Sequence, residues 1–128
     1  MKKVVSTKRM IMRTSVRDFE IELNESDTAN AIWLALPIDA YTNVWGKEIY
    51  FEIPVEMALE KGKTRMELGE VAYWPQGNAL CFFFGPTPAS RDDVPVAISP
   101  VTPVGMVNED PSTLEDVGDR TAIKLIKG

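Results

Sequence analysis

The chain contains no histidine. That absence removes Ser–His and Cys–His nucleophile pairs, imidazole metal ligands and the usual proton shuttle of neutral pH. Cysteine is nearly absent too: Cys81 is the single one, so no internal disulfide framework can form. No apolar run approaches the ~20 residues that span a bilayer, and no N-terminal apolar segment resembles a secretory leader. Positive charge is scarce, with 14 Lys and Arg against 19 Asp and Glu and a net charge of −5. Nucleic acid and anionic membrane both demand concentrated Lys and Arg, so neither is an expected partner. The early cations Lys2, Lys3, Lys8, Arg9, Arg13 and Arg17 are interspersed with apolar residues, as on the solvated face of a strand. Calcium-loop, zinc-ligand and phosphate-loop spacings are missing. No metal and no cofactor is expected, and the chain reads as a soluble cytoplasmic protein.

What is present is strand and turn chemistry over one domain, residues 1–128. Phe19, Ile21 and Leu23 alternate with Asp18, Glu20 and Glu22, a period of two with one wet face. Val4-Val5 and Met10 to Met12 supply a partner strand, with the turn near Thr14-Ser15. The spacing of Ala29, Ile32, Trp33 and Leu36 predicts one main helix over 26–36, capped by Ser26 or Asp27 and stopped before Pro37. Residues 41–60 read as mostly strand, with Ile49, Phe51 and Ile53 opposite Glu48, Tyr50 and Glu52. Lys61-Gly62-Lys63 reads as a turn.

The run from Gly69 to Ser90 is the central hairpin. Val71–Trp74 and Ala79–Phe84 are rich in aromatic and β-branched residues. Pro75-Gln76-Gly77-Asn78 between them is a turn, since Pro presets φ and Gly or Asn accepts a positive one. Five prolines mark 85–103 as a long ordered loop, or a loop with short extended pieces, and such length is often functional. A short strand at 104–107, a turn or short helix at 111–117 and a final strand through Thr121, Ile123 and Leu125 complete the chain. About eight strands and one helix predict a mainly β, eight-stranded closed barrel.

On one strand, Phe82 and Phe84 share a face and Cys81 and Phe83 share the other. The Phe82 face predicts an aromatic floor, edged by Tyr73, Arg65, Gln76, Asn78, Thr87 and the 85–90 loop. Cys81, inside an apolar run, reads as a buried and inert thiol. Trp45, Tyr50, Tyr73 and Trp74 each need a partner for a polar tip if buried. The acidic pairs Asp92-Asp93, Glu109-Asp110 and Glu115-Asp116 read as solvated charges.

The segments Thr28–Trp33, Leu36-Pro37, Trp45–Pro54 and above all Gly69–Ser90 resemble a family of uncharacterised small bacterial and archaeal proteins with a cyclophilin-like fold. The resemblance implies an eight-stranded barrel of cyclophilin type. True cyclophilins, prolyl isomerases, are more distant. Ile49–Pro54 stands where they carry Phe-His-Arg-Val-Ile-Pro, so Phe51 takes the place of their catalytic arginine. Val101–Gly105 is similar to their His-Val-Val-Phe-Gly, so Val101 replaces the pocket histidine. Ala79–Phe84 resembles Gly-Ser-Gln-Phe-Phe-Ile, which implies that Phe82 or Phe83 forms the proline-receiving floor. The expected function is a non-catalytic barrel binding a small molecule or a proline-containing peptide, with no catalytic residue assigned. A diverged isomerase, its cation supplied by Arg65 or Arg91, and a protein-interaction module using the proline-rich loop are the alternatives.

Overall fold

Residues 8–128 are described by the computed structural model. Strand β1 (Arg9–Arg13) pairs with β2 (Asp18–Leu23) as a hairpin. Its turn is held by Thr14, whose hydroxyl oxygen accepts from the Val16 and Arg17 amides. Phe19, Ile21 and Leu23 are buried, as the alternation predicts. The expected pairing through Val4-Val5 lies outside the described residues.

Helix α1 spans Asp27–Ala35. The Ser26 hydroxyl oxygen accepts from the Ala29 amide at 3.0 Å, satisfying one donor left free by the first turn. The other donors there meet a residue far along the chain. The Glu60 carboxylate accepts from the amides of Asp27 and Thr28 and from the Thr28 hydroxyl. Leu36 has already turned to extended backbone ahead of Pro37, which ends the helix. The Thr28 amide and hydroxyl hold the Glu60 carboxyl below the usual carboxylate range. A depressed carboxyl stabilises the fold above its unfolded pKa, and that contribution fades as the pH falls through the folded one. Glu60→Gln is therefore expected to lower Tm at pH 7 and to melt with wild type once the pH is well below 4. Thermal denaturation at the two pH values checks this.

The remaining strands are β3 (Ile38–Tyr41), β4 (Asn43–Val44), β5 (Glu48–Glu52), β6 (Lys63–Arg65), β7 (Glu70–Trp74), β8 (Ala79–Phe83), β9 (Val96–Val107) and β10 (Ala122–Lys127). Nine strands lie in the order β3-β10-β1-β2-β9-β7-β8-β5-β4, and β6 pairs with β9 off this path. Every pairing is antiparallel. The expected eight strands closed into a barrel are thus replaced by ten strands in an open order. The two ends of the order, β3 and β4, share no ladder but are consecutive in the chain, separated by Thr42 alone. Buried Thr42 ties that bend down, donating its hydroxyl to the Gly118 carbonyl and accepting from the Thr121 amide.

Two further expectations are corrected. Residues 53–60 are irregular rather than strand. The proline-rich loop ends at Pro95, and Val96–Val107 is one strand despite Pro100 and Pro103. Proline removes a ladder donor and is tolerated where pairing is already broken. Pro103 sits at the register shift opposite Val71 and Ala72, and Pro100 within the shift between the Lys63 and Arg65 pairings. Gly105 allows β9 to lie close against β2: a Cβ there would collide with the backbone carbonyl oxygen of Glu22.

The sheet buries a cluster on each face. The larger holds Met10, Met12, Phe19, Ile21 and Ile32 with Ile49, Phe51, Val71, Tyr73, Leu80 and Phe82. The smaller packs Ala72, Cys81 and Phe83 against Met66, Ala97 and Val101, with Tyr50 and Trp74 at its margin. Because strand side chains alternate, the β7–β8 hairpin contributes one set to each side. The early part of β9 and the residues around β6 cover the second, outer face. They leave a gap beside β5.

Candidate functional site

That gap is the candidate site. Trp45, Glu48, Tyr50, Trp74, Cys81, Ala97, Ile98 and Val101 line a cavity of about 90 Å³. Since a single water needs roughly 10–15 Å³ of such space, this cavity holds several waters or a small organic group. Its wall is assembled by pairing. Glu48 and Tyr50 project from one face of β5, and β8 places Cys81 opposite Tyr50 and Phe83 opposite Glu48. The Trp45 amide donates to the Glu48 carbonyl at 2.9 Å and the Glu48 amide to the Trp45 carbonyl at 3.2 Å, so both residues are held in one tight turn.

Glu48 is the charged residue of the wall, and it is only 6 % exposed. Among the described residues no Lys or Arg forms an ion pair with it, although eight other acid–base pairs form across the surface. Burial disfavours the charged form and pushes the Glu48 carboxyl up to about 7, partly offset by the thiol of Cys81 donating to it. Burial and then the Glu48 charge push the Cys81 thiol well above its ordinary value. A thiol held in that form is a poor nucleophile at neutral pH. Trp74 is fixed at two points: its Nε1 donates to the Ser99 hydroxyl at 2.7 Å, and Gly77 lies against its ring, where any Cβ would collide.

The residues singled out from the sequence are not brought together into one groove. Phe82 and Tyr73 have no exposure and belong to the larger core, so the Phe82 face is interior packing. Phe82 stacks on Phe51 with ring centroids 5.8 Å apart. The Tyr73 hydroxyl donates to the Val55 carbonyl, and Asn78 sits beside it at 3.2 Å. Phe84 is half-buried elsewhere, under the Lys47 ammonium 6.0 Å from its ring centre. Thr87 is buried and ties the 85–95 loop to the Val96 carbonyl. Arg65 is exposed and paired with Asp92 at 3.2 Å, and Arg91 is exposed and is not part of the cavity wall. Gln76 comes nearest the cavity, accepting from Ser99, which in turn holds Trp74.

Sequence reasoning named Trp45, Tyr50 and Trp74 for their polar tips and Cys81 for its burial, but it gave Glu48 no role beyond the alternation of its strand. The available signal was the pairing of faces. Cys81 and Phe83 are apolar on the side opposite Phe82, so something had to cover them, and Glu48 and Tyr50 share that side. Val101, which replaces the pocket histidine in the cyclophilin comparison, does line the cavity. Phe51, in place of the arginine, is wholly buried in the larger core.

Fold and cavity together define a mainly β protein with, among the described residues, one α-helix and a small aromatic-walled pocket on the outer face of its sheet. The family model described as cyclophilin-like matches residues 8–126, and the chain belongs to that family. Solved structures that match include the solution structure of the hypothetical protein AF2241 from Archaeoglobus fulgidus. It is 36 % identical, covers 100 % of both chains and superposes with a TM-score of 0.81. No curated protein matches the chain. Among the described residues no helix is long and apolar enough to cross a membrane. Nor do three or more Cys, Asp or Glu side chains there gather to hold a metal ion.

Proposed function

We propose that this cyclophilin-like protein is a binding protein that takes a small molecule, or the end of an extended peptide, in the cavity between Trp45, Glu48 and Trp74, without isomerising prolyl bonds. One observation carries the reading: a nearly buried carboxyl that forms no ion pair among the described residues stands in an aromatic-walled pocket. Burying an ionisable group without an opposite charge costs stability, and perturbed carboxyls in clefts concentrate at functional sites.

The physical case against isomerisation is the lack of a cation. Rotation about a peptide bond faces a barrier of ~18–20 kcal/mol. A donor that stabilises the twisted amide lowers it, but among the described residues no Lys or Arg lines this cavity. Binding the planar and twisted forms equally gives no rate gain.

A thermal-shift screen of metabolites and proline-containing peptides tests the reading, because a ligand of the native state raises Tm. Ligands are expected that raise Tm and move the indole NMR signals of Trp45 and Trp74. A screen in which nothing raises Tm removes the proposal. In a prolyl-peptide assay the protein is expected to leave the background rate unchanged. Acceleration that Arg65→Ala abolishes would restore the isomerase alternative.

A further inference from the structure

Resting on that reading of the cavity, we propose that its ligand is a small organic cation. An ammonium or methylated ammonium group would be held by Glu48 as counter-ion and by the aromatic wall of Trp45, Tyr50 and Trp74. The argument is charge complementarity within a confined volume. Among the described residues the wall contains one carboxyl and no cationic side chain. An anion entering it meets only repulsion from Glu48. A neutral guest gains contact with the rings and at most a hydrogen bond from the carboxyl, without the charge–charge attraction. A cation gains both, since the negative faces of aromatic rings attract positive charge and are the common means of holding quaternary ammonium groups. Coulombic attraction is also much larger in a partly enclosed site than in water. About 90 Å³ suits a small head group rather than a folded partner. The rigid setting of Trp74, between Ser99 and Gly77, means that this part of the wall is formed before the ligand arrives.

The groups facing Glu48 are few. From β8 comes the Cys81 thiol; from β5 itself, Tyr50; from β9, Ala97, Ile98 and Val101; from β7, Trp74; and from the preceding turn, Trp45. Lys47, adjacent in sequence, is turned away to Glu115 and the Phe84 ring. Glu48 is thus the group whose ionisation a bound cation couples to. Its carboxyl stands at about 7 when the cavity is empty of cations, so a permanent cation selects the ionised form.

Choline and its neutral isostere 3,3-dimethylbutan-1-ol separate the possibilities, with binding read from the indole signals of Trp45 and Trp74. Trp33 is the internal control, since Lys8 and Lys127 already flank its ring. Choline is expected to move the Trp45 and Trp74 signals and to leave Trp33 in place. Its affinity is expected to fall by about a hundredfold from pH 8 to pH 5, as the competent, ionised fraction falls. The alcohol is expected to bind more weakly than choline at pH 8. Glu48→Gln is expected to abolish the preference for choline, and the wild-type pH comparison stands whether or not that variant folds. If the alcohol binds as tightly as choline at pH 8, or if choline binding does not depend on pH, cation selection is overturned while the ligand pocket survives. If choline moves neither indole, the cation proposal is overturned, and the thermal-shift screen decides the broader reading separately.

Discussion

Phe82→Ala is expected to lower the free energy of unfolding by about 3–5 kcal/mol, the usual loss for truncating a buried phenylalanine. Phe82 has no solvent exposure. It faces Ile49 across one ladder and Val71 across the other, and stacks on Phe51. The interior is close-packed, so removing the ring leaves a void its neighbours fill only in part. For a domain whose whole stability is about 5–15 kcal/mol, that is a large fraction. Urea unfolding measures it through the midpoint at constant slope. At temperatures where the variant is still folded, the indole signals of Trp45 and Trp74 are expected to respond to ligand as in wild type. Loss of binding in a folded Phe82→Ala protein would return the functional surface to the Phe82 face.

Glu48→Gln is expected to act in the opposite direction, and only at higher pH. The sign follows from protons. The ordinary carboxyl value is 4.5, and in the folded protein Glu48 stands at about 7. Between those values the native state holds a proton that the unfolded chain has lost, so wild-type stability falls as the pH rises through the window. The difference corresponds to about 3 kcal/mol, present below pH 4 and gone above pH 7. Gln cannot ionise, so the variant lacks this decline. Relative to wild type, Glu48→Gln should gain about 3 kcal/mol between pH 4 and pH 8, whatever the offset at pH 4. Paired denaturation curves at the two pH values give the double difference. Parallel behaviour of the two proteins would mean that Glu48 is solvated and the cavity open to bulk water.

The parts of the fold that were legible in the sequence are those governed by neighbours in the chain. Helix α1 was readable because Ser26 and Pro37 act within a turn of the helix. The β7–β8 turn was readable because Asn78 accepts the left-handed conformation that such a turn requires. The cyclophilin-like family was readable from the length of the Gly69–Ser90 match. Strand count and closure were not. They depend on whether β9 continues through Pro100 and Pro103, which is decided by where its partners break register.

The grouping of the candidate residues was not legible for a related reason. Period-two alternation separates the two faces of a strand but does not say what crosses above each. Phe82 and Phe84 looked like a floor, but one is wholly buried and the other packs half-buried at the edge of the same core, under Lys47. The alternation placed Glu48 on the face opposite Ile49 and Phe51 and said nothing of what covers that face. Only the passage of β9 over Cys81 and Phe83 turns that polar face inward. No short-range pattern records that residues 48 and 98 line one cavity.

The most direct measurement is the titration of the Glu48 side-chain carboxyl carbon by NMR from pH 3 to pH 9 in the wild-type protein. The account predicts a midpoint near 7, moved toward lower pH by saturating choline. A midpoint at the ordinary carboxyl value of 4.5, unmoved by choline, would contradict it.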